Sequence, residues 1–159
     1  MRAGRVVAIF VAGAAGVDPV AVPSVRAVTG RGLEGDRYFL GTGTYSNWQG
    51  SSDGEALTLI EAEALEGLAA ERGIELAAGA SRRNVLTRGI ALNELVGRRF
   101  RVGTLECYGV KLCEPCRHLE RLTEQGVLRG LVGRGGLNAD IFADGEIAVG
   151  DTVSEHEGG

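Results

Sequence analysis

The chain has 159 residues, enough to bury a core as one domain without disulfide or metal staples. Glycine takes 26 positions, where average usage of about 7% would give roughly 11. Because glycine is costly inside helices and cheap in turns, this composition argues against a helix bundle and for many short strands. The formal net charge of −4 sets the chain apart from basic nucleic-acid binders, and no apolar run reaches the roughly 18–20 residues of a membrane-spanning helix.

Arg2 and Arg5 precede an apolar run over residues 6–17 that contains Ala12-Gly13-Ala14, an arrangement that imitates a secretory leader. The preferred reading is a first strand over residues 6–11 ending in an Ala/Gly turn. Residues 20–28 alternate apolar and other side chains, with Pro23 interrupting the ladder, which predicts an edge or bulged strand. A glycine-rich stretch, residues 30–54, follows. Its part from 41 to 54 lacks periodicity and is read as a long loop, with Tyr45 and Trp48 as a candidate lid or as pins to the core.

Residues 57–60 lead into a helix over 61–72, with Thr58 and Glu61 spaced as a capping box and Gly73 as the left-handed stop. A strand is expected at 85–87, a helical turn at 92–96, and a hairpin of strands 99–102 and 105–110 around Gly103-Thr104. Residues 116–123 and 127–132 read as helical, the latter ended by Gly135-Gly136. A last hairpin pairs 137–143 with 146–149 around Asp144-Gly145. Residues 1–153 are thus expected to form one domain and 154–159 a polar, frayed tail. Short strands at regular spacing point to a mainly β, closed or nearly closed barrel with a few peripheral helices.

Three constellations carry candidate chemistry. Gly30-Arg31-Gly32-Leu33-Glu34-Gly35 has dinucleotide-site spacing, but Asp36-Arg37-Tyr38 does not start a helix. The stretch therefore reads as a turn needing positive φ, or as an anion nest completed by Arg37. Arg82-Arg83-Asn84 stands before a strand. Strand alternation would put Arg82 and Asn84 on one face, able to hold a phosphate or polar heterocycle, and turn Arg83 away. Sixteen of the 17 basic residues are arginine and one is Lys111, so an anion site here is built mainly from guanidinium forks.

The third is Cys113-Glu114-Pro115-Cys116. With Cys107, His118 and His156 it matches no common structural zinc spacing, and its surroundings are not those of a thioredoxin site. A buried structural pair and a single reactive thiol, Cys116, both stay open. A helix N-terminus with Arg117 and Lys111 nearby would favour the thiolate. Three cysteines, two of them clustered, suit a reducing, cytoplasmic compartment.

Taken in order, these stretches resemble the MOSC domain family, named for the C-terminal domain of molybdenum cofactor sulfurases. The resemblance is carried by Gly32-Leu33-Glu34-Gly35-Asp36-Arg37, by residues 82–92 and 95–103, by Leu112-Cys113-Glu114-Pro115-Cys116, and by residues 145–151. It covers roughly residues 5–153 and looks like a small stand-alone member. It implies a strongly curved, barrel-like β fold. It also implies a cysteine that accepts sulfur from a desulfurase or ligates molybdenum in the pterin cofactor. In members like this one that cysteine follows the proline, which gives Cys116. In the amidoxime-reducing relatives an Arg-x-Asn stretch and the arginine of an Asp-Arg pair hold the cofactor, which gives Arg82, Asn84 and Arg37. Arg83 stands where the relatives differ, and the lysine and serine anchors of the longer relatives have no clear match here.

The leading expectation is a protein that binds the molybdenum cofactor (molybdopterin) and reduces N-hydroxylated compounds or hands the cofactor on. A molybdoenzyme is a possible partner and a small molecule the substrate. A second is a sulfur carrier with a Cys116 persulfide, whose partner would be a cysteine desulfurase holding its own pyridoxal phosphate. A third is a binding module with unreactive thiols. Neither nucleic acid nor membrane is expected as a partner.

Overall fold

The computed structural model of the chain describes residues 3–13, 18–29, 31–36, 56–76, 78–113, 126–131 and 133–155. Its strands, in chain order, are β1 (Ala3–Val11), β2 (Val20–Val22), β3 (Ser24–Val28), β4 (Gly32–Leu33), β5 (Leu57–Glu61), β6 (Val85–Arg88), β7 (Arg99–Val102), β8 (Leu105–Leu112), β9 (Leu137–Ile141), β10 (Gly145–Ala148) and β11 (Thr152–Glu155). Helix α1 (Ala62–Arg72) follows β5, and the single turn α2 (Val127–Gly130) precedes β9. Short 3-10 turns lie at Ala78–Ser81 and Leu92–Leu95.

β1 is the strand on which the barrel closes. Its start pairs with β11, its middle with β6 across a bulge between Val6 and Ala8, and its end with β2. The ring runs β11-β7-β8-β9-β5-β6-β1 and returns to β11, with β2 added outside it. Closure removes the bare edges that an open sheet of this size would expose. Among these pairings β5–β6 is parallel. A parallel pair needs a crossover rather than a hairpin, and α1 with the turn after it supplies one. A second, three-stranded sheet has the order β10-β3-β4.

Alternation along the strands sorts the side chains. Leu57, Leu59, Val85, Leu137, Ala139 and Ile141 point into the barrel and join Ile9, Phe100 and Val153 in the main core. On the opposite face Ile60 and Leu86 meet Leu65 and Leu68 of α1, with Val127 and Leu131 closing a second cluster. Leu68 is fully buried there, and truncation to alanine at such a site costs about 2–5 kcal/mol. Gly73 ends α1 at φ 67°, its N–H donating to the Ala69 carbonyl, as the sequence predicts. Pro23 interrupts residues 20–28 as expected, but the result is two strands rather than one bulged strand: β2 joins the barrel and β3 joins the second sheet.

Four expectations are corrected. Thr58 is no helix cap, because residues 57–61 form a strand and the helix starts at Ala62 without a side-chain cap. The Thr58 hydroxyl is used across strands instead, and the Glu61 carboxylate accepts the Leu92 N–H at 3.1 Å. The final hairpin does not form either. β9 pairs with β5 and β8, whereas β10 pairs with β3 in the other sheet. The Asp144 carboxylate accepts the Thr29 N–H at 2.8 Å, which ties residue 144 to the end of β3 instead of closing a turn onto β9. The turn α2 also stops at Gly130, short of the predicted 132, and β11 takes in Ser154 and Glu155, which polarity alone assigned to the tail. Among the described residues no helix is long and apolar enough to cross a membrane.

Candidate functional site

A polar row crosses four strands on the outward face of the barrel, beside the area that α1 covers. Thr58 of β5 has Asn138 of β9 as its Cα partner, and Asn138 in turn faces Lys111 of β8. Paired residues share a face, so these side chains stand on the side away from Leu57, Leu59 and Leu137. On the other flank Thr58 meets Asn84, at the start of β6. The Asn84 Oδ1 accepts the Thr58 N–H at 3.1 Å and the Thr58 hydroxyl at 3.0 Å. The Asn84 Nδ2 donates to the Phe10 carbonyl at 3.2 Å, while the Asn84 N–H donates to the Thr58 hydroxyl at 3.0 Å. Asn84 therefore stitches β1, β5 and β6 together and keeps one Nδ2 hydrogen for another acceptor.

Asn138 has a different environment. It is 8% exposed, and its Oδ1 is buried without a hydrogen-bond donor among the described residues. Lys111 opposite it is exposed. Nothing in the sequence singled out Asn138, although a polar residue between Leu137 and Ala139 in a central strand is the signal that would have done so.

Arg82 and Arg83 do not follow the predicted alternation. Arg82 is buried and has φ 62°, a left-handed conformation that a strand residue does not adopt, with its N–H donating to the Gly79 carbonyl. The Arg83 guanidinium donates from Nε to the Gly135 carbonyl at 2.8 Å, and more loosely from Nη2 to the Cys113 carbonyl at 3.4 Å. The Cys113 N–H donates to the Gly136 carbonyl at 2.8 Å. Arg83 is thus a bracket between the start of β6 and the end of β8. Gly136 lies inside this bracket at φ 116°, where a Cβ would run into the Leu59 carbonyl oxygen.

Asp36 joins the same neighbourhood. It is 3% exposed, and its Oδ1 accepts the Ala12 N–H at 3.0 Å, two residues past Phe10. Gly32 and Gly35 both have positive φ, which agrees with the turn reading of the glycine-rich motif. The structure therefore brings together Arg82, Asn84, Cys113 and Asp36 from separate stretches of the chain. Arg37, Cys116, His118, Tyr45 and Trp48 lie outside the described residues. Cys113 is half-buried. Cys107 faces the barrel core, and burial pushes its thiol up to about 12. Among the described residues no group of three or more His, Cys, Asp or Glu side chains could hold a metal ion.

Comparison with known proteins agrees with this frame. The MOSC domain family matches residues 47–154. No curated protein sequence matches the chain. Among solved structures, the YuaD protein of Bacillus subtilis superimposes with a TM-score of 0.80 at 16% identity, covering 97% of this chain and 96% of that one. YiiM from Geobacillus stearothermophilus gives 0.72 at 17% identity, over 97% of this chain and 75% of that one. YiiM from Escherichia coli gives 0.69 at 18% identity, over 96% and 70%. At these identities the likeness is one of fold.

Proposed function

The chain belongs to the MOSC domain family, and on that premise we propose that it holds a molybdenum-bearing, phosphate-carrying pterin dithiolene. Cys116 is the sulfur ligand in this reading, with Arg37, Arg82 and Asn84 on the pterin and its phosphate. The observation that carries it is the Arg83 bracket, which draws the chain just before Cys116 against the Arg82–Asn84 segment. Asp36, the residue before Arg37, is fastened to the end of β1 beside them.

The described side chains suit such a group. The Arg82 fork matches phosphate oxygens, Asn84 retains one N–H donor, and Asn138 presents a buried acceptor with no donor among the described residues. A thiolate is a suitable ligand for a soft metal centre. When bound, the cofactor supplies two-electron oxygen-atom chemistry suited to reducing N-hydroxylated compounds. The protein's own part is to fix the phosphate, orient the ring and present the thiolate.

Molybdenum per chain tests this, measured on protein purified without oxygen from a host that makes the cofactor, with Cys116→Ser alongside. Near-stoichiometric metal that disappears in the variant is expected. Metal absent from both overturns the reading. A sulfur adduct on Cys116 after incubation with a desulfurase and cysteine would then establish the carrier role instead.

A further inference from the structure

This inference rests on the cofactor reading and concerns a residue to which that reading gives no task. Asn138 lies in β9, paired on both sides by β5 and β8, so its backbone is held in the middle of the barrel wall. Its side chain leaves the wall on the face of Thr58 and Asn84, and its Oδ1 is buried with no donor among the described residues. A buried carbonyl oxygen without a donor is uncommon, because desolvation is then uncompensated. The neighbours do not relieve it. The Thr58 N–H and hydroxyl are both directed to Asn84, and one of the two Asn84 Nδ2 hydrogens is directed to Phe10. Lys111, its Cα partner, is exposed.

We propose that Asn138 is a ligand-reading residue: its Oδ1 accepts a hydrogen bond from an N–H on the edge of the bound heterocycle. A 2-amino-4-oxo pyrimidine edge, as in a pterin, carries such donors, whereas inorganic phosphate carries no N–H. Asn138 thereby separates recognition of the ring from recognition of its phosphate, which falls to the arginines.

The test uses the full chain with Asn138→Leu, Asn138→Ala and Asn138→Asp, and a reduced pterin monophosphate as probe beside inorganic phosphate. The first readout is the unfolding midpoint without ligand; the second is the dissociation constant for each probe. In the leucine or alanine variant the midpoint stays at the wild-type value or rises. Pterin affinity falls about tenfold or more, the effect of one buried hydrogen bond, and phosphate affinity is unchanged. Aspartate, which keeps an acceptor and loses the amide donor, retains most of the pterin affinity. A large drop in the ligand-free midpoint in both the leucine and alanine variants overturns the inference by making Asn138 structural. Equal pterin affinity in wild type and variants overturns it while leaving the cofactor reading intact. Loss of affinity in the aspartate variant equal to that in leucine overturns the acceptor role. A wild-type protein that binds phosphate but not the pterin overturns the cofactor reading, and this inference with it.

Discussion

Asn84→Ala should loosen the frame before it affects any ligand. The substitution deletes three side-chain hydrogen bonds: two accepted from Thr58 and one donated to the Phe10 carbonyl. At about 1 kcal/mol net for each, with a further cost for the Thr58 N–H and Phe10 carbonyl left without partners, the loss is about 3–5 kcal/mol. In a chain of this length that lowers the melting midpoint by roughly 10 °C. Thr58→Val keeps the shape and removes the hydroxyl, which both donates to Asn84 Oδ1 and accepts the Asn84 N–H, for a loss of about 1.5–3 kcal/mol. Because the two side chains share bonds, the double variant should lose less than the sum, with about 1–2 kcal/mol of coupling. Equilibrium urea unfolding of the four proteins measures this directly. An Asn84→Ala cost below about 1 kcal/mol, or strict additivity in the cycle, would refute the stitch. The same experiment shows whether cofactor loss in an Asn84 variant reflects a missing contact or a slackened barrel.

Gly136→Ala should cost about 3 kcal/mol or more, since it combines an unfavourable φ with a collision at the Leu59 carbonyl. A melting midpoint within about 2 °C of wild type would contradict that. Cys107 should be silent to a thiol reagent at neutral pH in the native protein and label only on unfolding, because burial holds its thiol near 12. Mass spectrometry of the labelled chain distinguishes it from Cys113 and Cys116. Burial raises the Glu61 carboxyl above the ordinary range, against the lowering effect of the Leu92 N–H. The folded chain then binds this proton more tightly than the unfolded chain, so Glu61 reduces stability as pH rises through its folded pKa. Glu61→Gln, which keeps an acceptor for Leu92, should be the more stable protein at pH 7. That advantage should vanish where wild-type Glu61 is protonated in both states. An unfolding series from pH 3 to 7 checks the sign.

Strands were the most legible part of this sequence because alternation is a local property. Arg99, Phe100, Arg101 and Val102 already show which side faces the core, and Gly103 shows where the hairpin turns. What escaped depends on partners far along the chain. Asp144-Gly145 has hairpin spacing, yet the Asp144 carboxylate is held by Thr29, and no window of ten residues contains that information. Thr58 and Glu61 have capping spacing, but Thr58 sits between two strands that arrive from residues 85 and 137. At the candidate site, Arg82 and Asn84 were singled out from residue type and order, although the supposed strand geometry fails at Arg82, whose φ is positive. Arg83, read as turned away from that pair, proves to be the bracket, because the Gly135 and Cys113 carbonyls it grips are placed by a different part of the fold.

The closure of the ring also orders events during synthesis. Ala3 pairs with Ser154, and Arg5 with Thr152, so the start of β1 waits for a partner strand made after every other strand described. While the ribosome works through the intervening residues, β2 can pair with the Ile9–Val11 end of β1, but the rest of β1 stays without its neighbours until β6 and then β11 emerge. Contacts so distant in sequence slow the final collapse and lengthen the time in which strands of neighbouring nascent chains can pair wrongly. A truncation that stops before Thr152 would make that interval permanent, leaving both β1 and β7 without the strand that joins them.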